Sequence, residues 1–326
     1  MTVLPEEPAI LEVRHGVRRW IAAHAPDGDV AVALSGGADS LALTAAAAAE
    51  ARSAIALVVD HRLQPGSDAV ADEAAARARA LGCASAEVLP VDVTGTGGLE
   101  AAARQARYRA LDSARGTRPV LLGHTLDDQA ETVLLGLSRG SGGRSIWGMS
   151  PYDSPWGRPL LDVRRAVTRQ TCAELGLRPH EDPHNSSPDF VRVRLRAEVL
   201  PLLEDVLGGG VAGALARTGE HLREEGAVLD ALAADAGANV VVDGEIDAAV
   251  LALSAPPVRR RVLRSWLLAA GARGLGDTQL RAVDDLVARW RGQGQVAIGG
   301  GTPDARLVVR RRRGRLNVGL DDRRRV

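Results

Sequence analysis

The chain has 326 residues, 45% of them hydrophobic, and its 41 basic and 41 acidic side chains balance to a formal charge of zero, a length that suits two domains with substantial cores. Its two cysteines, Cys83 and Cys172, lie far apart, which excludes a disulfide framework and offers no Cys-x-x-Cys pair for zinc or an iron–sulfur cluster. No uninterrupted apolar segment reaches spanning length, and Glu6, Glu7 and Glu12 stand among the first residues, so neither a membrane helix nor a signal peptide is expected and a cytoplasmic protein follows.

Taken in chain order, segments 30–34, 55–60, 86–91 and 120–123 read as strands, with 41–51, 68–81 and 99–113 as helices between them. This alternation predicts an α/β fold, a doubly wound parallel sheet whose ligands bind beyond the carboxyl ends of the strands. Ser35 to Ser40, Asp60-His61 and Gly123-His124 all fall at such ends. A further helix opens at His124; segment 140–159, rich in Gly, Ser and Pro, reads as an extended loop, and 164–175 is again helical. An irregular stretch at 179–188 precedes an arginine-studded helix at 190–203, and Gly208-Gly209-Gly210 breaks the chain.

The boundary expected there divides the chain into 1–205 and 206–326. The second part is expected to be smaller and mostly helical, with helices at 211–236, 258–270 and 278–290 and short closing strands at 295–298, 306–310 and 316–318. Residues 1–190 hold 19 Arg against 24 acids, and 191–326 hold 22 against 17. The basic end is the better candidate for meeting a polyanion.

Chemistry concentrates first in Ser35-Gly36-Gly37-Ala38-Asp39-Ser40. A glycine turn from strand to helix leaves successive N–H groups pointing outward, and two serine hydroxyls add donors, which suits the oxygens of a pyrophosphate. A Walker A loop would end in Gly-Lys-Ser/Thr, but the chain contains no lysine at all. Asp39 would repel phosphate unless a divalent cation lay between them, so Mg2+ is implied along with ATP. The plain alternative is an ordinary turn rich in small residues.

The second concentration is His124-Thr-Leu-Asp-Asp-Gln-Ala-Glu-Thr132. Helical spacing brings His124 near Asp128, and Asp128 near Glu131 and Thr132. Three carboxylates beside a triphosphate site either hold a metal or bind a cationic substrate. An acidic first turn favoured by the helix dipole explains one acid easily, but three acids and a histidine poorly.

SGGADS resembles the PP-loop of the ATP pyrophosphatases. Together with VDHRLQPGS (59–67), ARQARYRAL (103–111), GHTLDDQAETVLLGLSRGSG (123–142), RPLL (158–161) and EDPHNSSPDFVRVRLRAEVLPLL (181–203), it makes the chain resemble the bacterial tRNA(Ile)-lysidine synthetases over about two-thirds of its length. The resemblance implies a PP-loop catalytic domain at 1–205 and a tRNA-binding, substrate-positioning domain at 206–326. It implies ligation of L-lysine to the wobble cytidine of the minor isoleucine tRNA with a CAU anticodon, through an adenylated base, with pyrophosphate and AMP released.

By the same resemblance, Ser35, Gly36, Gly37, Ala38, Asp39 and Ser40 bind ATP, with Asp60 and His61 at the next strand end, where Asp60 alternatively caps the following turn. Arg104 covers phosphate or adenylate, and His124, Asp128 and Glu131 handle lysine and magnesium, with Asp39 and Asp128 as the metal's carboxylates. Arg192, Arg194 and Arg196 are the candidates for tRNA phosphate. The family commonly reads Arg-Asn-x-x-Arg where this chain has Arg192-Val-Arg-Leu-Arg196, and the longer C-terminal domain of larger members is expected to be absent.

Two alternatives stay open at this point. A tRNA cytidine thiolase generally holds sulfur or a cluster on Cys-x-x-Cys pairs, and a non-catalytic ATP-binding sensor needs no acidic cluster. Oligomeric state is not set by the sequence, a homodimer being one option.

Overall fold

The computed structural model describes residues 4–94, 98–139, 142–181 and 190–322. Positions 182–189 of the last family motif, most of the irregular 179–188 stretch and the Arg323 to Arg325 tail lie outside the described residues. Two compact units form, Met1–Leu134 with Gly148–Arg217, and Leu135–Trp147 with Thr218–Val326.

The first unit alternates α1 (Pro8–His24), β1 (Asp29–Ala33), α2 (Ala38–Glu50), β2 (Ser53–Asp60), α3 (Ser67–Ala80), β3 (Ser85–Pro90), α4 (Leu99–Ala114), β4 (Val120–Leu121) and α5 (Leu126–Arg139). A hairpin of β5 (Tyr152–Asp153) and β6 (Trp156–Gly157) follows, then α6 (Arg165–Glu174), α7 (Val191–Arg194) and α8 (Leu200–Val206). The sheet order is β3-β2-β1-β4-β6-β5, parallel except for the β5–β6 pair. The chain therefore winds outward from β1 to β3, then returns through α4 to the other side of β1. The switch point lies between β1 and β4, where such sheets bind ligands.

Helices cover both faces, which explains why β1 and β2 read as nearly continuous apolar runs. Val13 and Val17 of α1, Leu43 of α2, Ala75 of α3 and Cys172 of α6 share one core. On the opposite face, Leu111 of α4 packs with Leu57 and Val120. Helix α2 is buried continuously from Ser40 to Ala49; alanine suits that position because it favours helix and lets neighbouring elements approach closely.

Three features differ from the sequence reading. Helix α1, held by Ile10, Val13, Val17 and Trp20, is not among the expected elements, although its apolar stripe has helical spacing. The expected loop at 140–159 contains β5 and β6, strands of two residues each, too short to show a periodicity. The arginine-studded helix carries a π-helical segment, Leu195–Val199, between α7 and α8.

Helix α9 (Val211–Val240) runs on into the second unit, followed by β7 (Val241–Val242), β8 (Glu245–Asp247), α10 (Ala248–Ala252), α11 (Pro256–Ala269), α12 (Asp277–Ala288), β9 (Val296–Gly301), β10 (Ala305–Arg312) and β11 (Arg315–Asp322). The three long helices fall where the sequence places them, and the strands form an antiparallel sheet ordered β7-β8-β11-β10-β9. Ile246, Leu251, Leu263, Leu267, Val283 and Leu316 centre its core.

Candidate active site

The turn after β1 is built around two serines. Ser35 N–H donates to Ser40 Oγ at 3.2 Å, the two hydroxyls are 3.1 Å apart, and Ser40 Oγ donates to the Gly37 carbonyl at 2.9 Å. Gly36 has φ +82°, a conformation that glycine adopts without strain. Gly37 caps α2 with no side-chain hydrogen bond, so the first amides of the helix remain outward-facing donors. The His180 amide donates to the Gly36 carbonyl at 2.9 Å and holds the turn from outside.

A second strand end presses against this turn. A Cβ built on Gly123 would lie 3.1 Å from the Asp39 carbonyl carbon and the Ser40 nitrogen, so the residue before His124 needs to be small. The segment 123–125 thereby carries the start of α5 up to the turn. Thr125 begins that helix, and its N–H and hydroxyl both donate to Asp128 Oδ2 at 2.8 Å. Asp127 accepts from the Arg165 N–H at 2.7 Å and from Arg164 Nη2 at 3.0 Å. Of the three acids in the motif, Asp127 therefore caps α6, while Asp128 caps its own helix with one oxygen and turns the other inward.

That inner oxygen, Oδ1, meets Arg165 Nη2 at 2.6 Å. The same guanidinium reaches Glu131 Oε1 at 3.3 Å through Nη1 and Asp39 Oδ2 at 3.4 Å through Nε. Glu131 is fully buried and also meets Arg196 Nε at 2.9 Å and Arg192 Nη1 at 3.6 Å. Arg196 lies in the π-helical segment, and a wider turn of this kind is common at functional sites. Thr168 Oγ1 donates to Asp39 Oδ1.

Burial raises the Asp39 carboxyl above its usual range despite the Thr168 and Arg165 contacts. Burial acts on Asp128 too, but Arg165 and the Thr125 donors outweigh it and hold that carboxyl low. Against its own burial, the surrounding acids hold the Arg165 guanidinium firmly charged.

Among the described residues no three His, Cys, Asp or Glu side chains form a metal cage. Two carboxylates sharing one cation suit Mg2+ nonetheless, because it binds through one or two carboxylates and completes its shell with phosphates and water.

On the other side of the switch point, Arg104 lies with its guanidinium 4.9 Å from the centre of the Tyr108 ring, and Nη2 donates to the Tyr108 hydroxyl at 3.3 Å. Tyr108 packs edge-on against Trp156 at 4.6 Å. Asp60 accepts from the Arg62 N–H at 2.9 Å, the turn-capping geometry. Burial, with Arg107 nearby, lowers the His61 pKa, and burial lowers that of His124 to about 4.

The structure thus brings Asp39, Asp128, Glu131, Arg192 and Arg196 together. Arg194 is not among them: it is exposed and pairs with Glu198 at 3.0 Å along its own helix. Sequence reasoning missed Arg165, Thr168 and His180, whose positions in α6 and the segment after it carry no spacing that ties them to a turn more than 120 residues earlier.

A glycine turn at the switch point of a parallel sheet, faced by carboxylates laced with arginine, defines a PP-loop nucleotide-dependent enzyme. The PP-loop domain family matches residues 12–203, and the TilS substrate binding domain matches 247–316. The chain is 93% identical over 324 residues to the tRNA(Ile)-lysidine synthase of Rhodococcus jostii (strain RHA1), covering 99% of this chain and 100% of that one. It is 55% identical to the tRNA(Ile)-lysidine synthase of Mycobacterium tuberculosis (strain ATCC 25618 / H37Rv), covering 96% and 98%. The chain belongs to the tRNA(Ile)-lysidine synthase family of ATP-dependent ligases.

Among solved structures, the U34-tRNA thiolase NcsA from Methanococcus maripaludis with its [4Fe-4S] cluster shares the fold, with a TM-score of 0.55 and 19% identity over 67% of this chain and 81% of that one. The cysteines here are both buried, and burial pushes each thiol up to about 11.

Proposed function

We propose that this chain joins L-lysine to the wobble cytidine of the CAU-anticodon isoleucine tRNA, so that the tRNA reads AUA as isoleucine, and that it acts in the cytoplasm. The observation that carries the reading is the group of partly buried Asp39 and Asp128 with fully buried Glu131, held against an anion-binding turn by the close approach at Gly123. One site then offers donors for a triphosphate and carboxylates for an ammonium.

In the first step the cytidine carbonyl oxygen bonds to the α-phosphorus as the bond to the β-phosphate oxygen breaks, and pyrophosphate leaves with that electron pair. In the second the neutral lysine amine bonds to the base carbon that bears this oxygen, a proton passes from the amine to solvent, and AMP leaves with the oxygen and the carbon–oxygen electron pair. The amides and hydroxyls of Ser35 to Ser40 bind the departing pyrophosphate, with Asp60 and His61 bordering the nucleotide. Arg104 covers the adenylate. Asp39 and Asp128 would hold Mg2+, which when bound supplies positive charge to the phosphates. Glu131, with Asp128, grips the lysine ammonium beside His124, and Arg165, Arg192 and Arg196 hold these carboxylates in place.

Residues 1–205 perform the chemistry in this reading and 206–326 position the tRNA. Of the basic runs in the second part, Arg259 and Arg261 pair with Asp284 and Asp230, Arg310 pairs with Asp321, and Arg311 donates to the Leu286 carbonyl. Arg312, Arg313 and Arg315 at the β10–β11 turn are exposed and enter no ion pair among the described residues. With Arg194 they are the side chains we assign to tRNA phosphate. Replacing the three by serine is expected to flatten the salt dependence of tRNA binding by roughly 0.7–0.9 in logarithmic slope for each phosphate no longer neutralised.

The deciding experiment measures AMP and pyrophosphate release with ATP, tRNA and lysine supplied singly and together. AMP release, and pyrophosphate release beyond the single equivalent of the first step, that require both lysine and the CAU-bearing isoleucine tRNA support the reading. Turnover without lysine, or with sulfur donors in its place, overturns it.

A further inference from the structure

Every carboxylate in the acidic half of the site has an arginine partner, but a neighbouring guanidinium, with two imidazoles beside it, has no such match. Helix α4 starts after β3 and returns toward β4, so its early turns lie toward the carboxyl end of the sheet. Leu111 anchors it in the core beneath. One turn earlier, Tyr108 rests on Trp156, and the Arg107 guanidinium lies 5.5 Å from the Tyr108 ring centre.

Arg107 Nε is buried without a hydrogen-bond partner, and so are His61 Nδ1 and His124 Nδ1. Among the described residues no carboxylate lies within ion-pair distance of Arg107. His61 follows β2 and His124 follows β4, the strands on either side of β1. The three residues thus stand around the exit of the strand that carries the PP-loop turn.

A largely buried guanidinium with no counter-ion costs stability, and buried donors are ordinarily satisfied. Such an arrangement is kept where a ligand supplies the missing anion. Its charge is already felt locally, because Arg107 contributes to the lowered pKa of both imidazoles. Helix α2, which presents the turn's amides, covers one sheet face, whereas α4 covers the other. A triphosphate seated by its outer phosphates on the turn would meet Arg107 from the opposite side.

We propose that Arg107, with the imidazoles of His61 and His124, forms an oxyanion recess for the α-phosphate of ATP and afterwards for the phosphodiester of the adenylated base, separate from the turn that holds pyrophosphate. The proposal rests on the reading that ATP is split between its α- and β-phosphates. A planar guanidinium suits the task because it donates two parallel hydrogen bonds to a phosphate.

The test uses the full chain with Arg107→Met, which keeps the stem packed on Tyr108 and removes the charge, and Arg107→Lys, which keeps the charge and removes the fork. AMP and pyrophosphate are titrated separately by calorimetry in the presence of Mg2+, tRNA binding is measured alongside, and thermal melting is recorded without ligand. For Arg107→Met, AMP affinity should fall about 10-fold or more, as expected when a charged hydrogen bond is removed, while pyrophosphate and tRNA affinities change by less than about 3-fold. Arg107→Lys should show the same order with a smaller loss. The melting temperature of the Met variant should hold or rise, because an unpaired buried cation has gone.

Unchanged AMP affinity in both variants overturns the proposal, as does an equal loss of pyrophosphate, a loss confined to tRNA, or a lowered melting temperature with all ligands weakened together. AMP titration needs neither tRNA nor lysine. A wild-type protein that binds AMP through Arg107 yet makes no lysidine would sink the functional reading alone; a lysidine-forming enzyme indifferent to Arg107 would sink only the recess.

Discussion

In the second unit, Arg259 and Asp284 close on each other through two hydrogen bonds, 2.5 Å and 3.1 Å, both side chains being buried among apolar neighbours of α11 and α12. In the first unit, Arg165 spreads three nitrogens over Asp39, Asp128 and Glu131 at 2.6 to 3.4 Å, and Glu131 is shared by two further arginines. The isolated pair is complete, so it works as a structural element. The shared cluster has more partners than any one geometry satisfies well, and an incoming cation can take one arginine's place without leaving a carboxylate bare. The two arrangements differ in how the charge is shared, one carboxylate to one guanidinium in the pair and three carboxylates among three guanidinium groups in the cluster.

The largest effect expected from breaking this contrast lies at Asp39. Asp39→Asn should reduce AMP formation by about 10²–10³-fold or more, with an unchanged circular dichroism spectrum, since the amide still accepts from Thr168 but binds Mg2+ weakly. Near-normal turnover with unaltered magnesium dependence would remove Asp39 from the metal.

Arg259→Met should act on stability and hardly on the chemistry. Removing one partner of a buried pair costs about 3–5 kcal/mol, read as a shifted urea midpoint, and adding Asp284→Leu should restore most of it. If the double variant is as unstable as the single one, the pair is not the closed unit described.

Glu131→Gln sharpens the contrast from the other side. The KM for lysine should rise about 10-fold or more, the scale of a hydrogen bond to a charged group, with the KM for ATP altered by less than about 3-fold. A reversed pattern would place Glu131 with the nucleotide.

The smallest effect concerns pH. His124 titrates near 4 when folded, because burial disfavours its charged form, whereas an unfolded histidine titrates near 6.5. Below about pH 6.5 the unfolded chain takes up the proton first, so this group's contribution to stability declines as pH falls from 6.5 toward 4. His124→Gln should flatten that part of the stability profile, as followed by urea titrations at pH 7, 6 and 5; an unchanged slope would mean that His124 is not held neutral by burial.

Much of this was legible in the residues. The strand–turn–helix at Ser35 to Ser40 announced itself through glycine, serine and an apolar run, each of which acts locally. The acids of α5 were visible through helical spacing, although their division of labour was not: Asp127 serves as a cap for α6 only because Arg165 N–H arrives from elsewhere in the chain. Strands β5 and β6 escaped notice because two residues have no period, and they exist only by pairing with each other and with β4.

By itself the sequence determined the α/β order, the phosphate turn and the identity of the acids, since propensity, glycine geometry and helical spacing all operate within a few residues. The tertiary structure decided which cations answer those acids. Arg165 and Arg107 are two among 41 arginines in a chain without lysine, and nothing local separates the one that meets three carboxylates from the one that meets none among the described residues. That difference arises from the crossing of α4 over the sheet and the docking of α6 beside α2, because an electrostatic partner is set by distance in space and by burial, neither of which composition records.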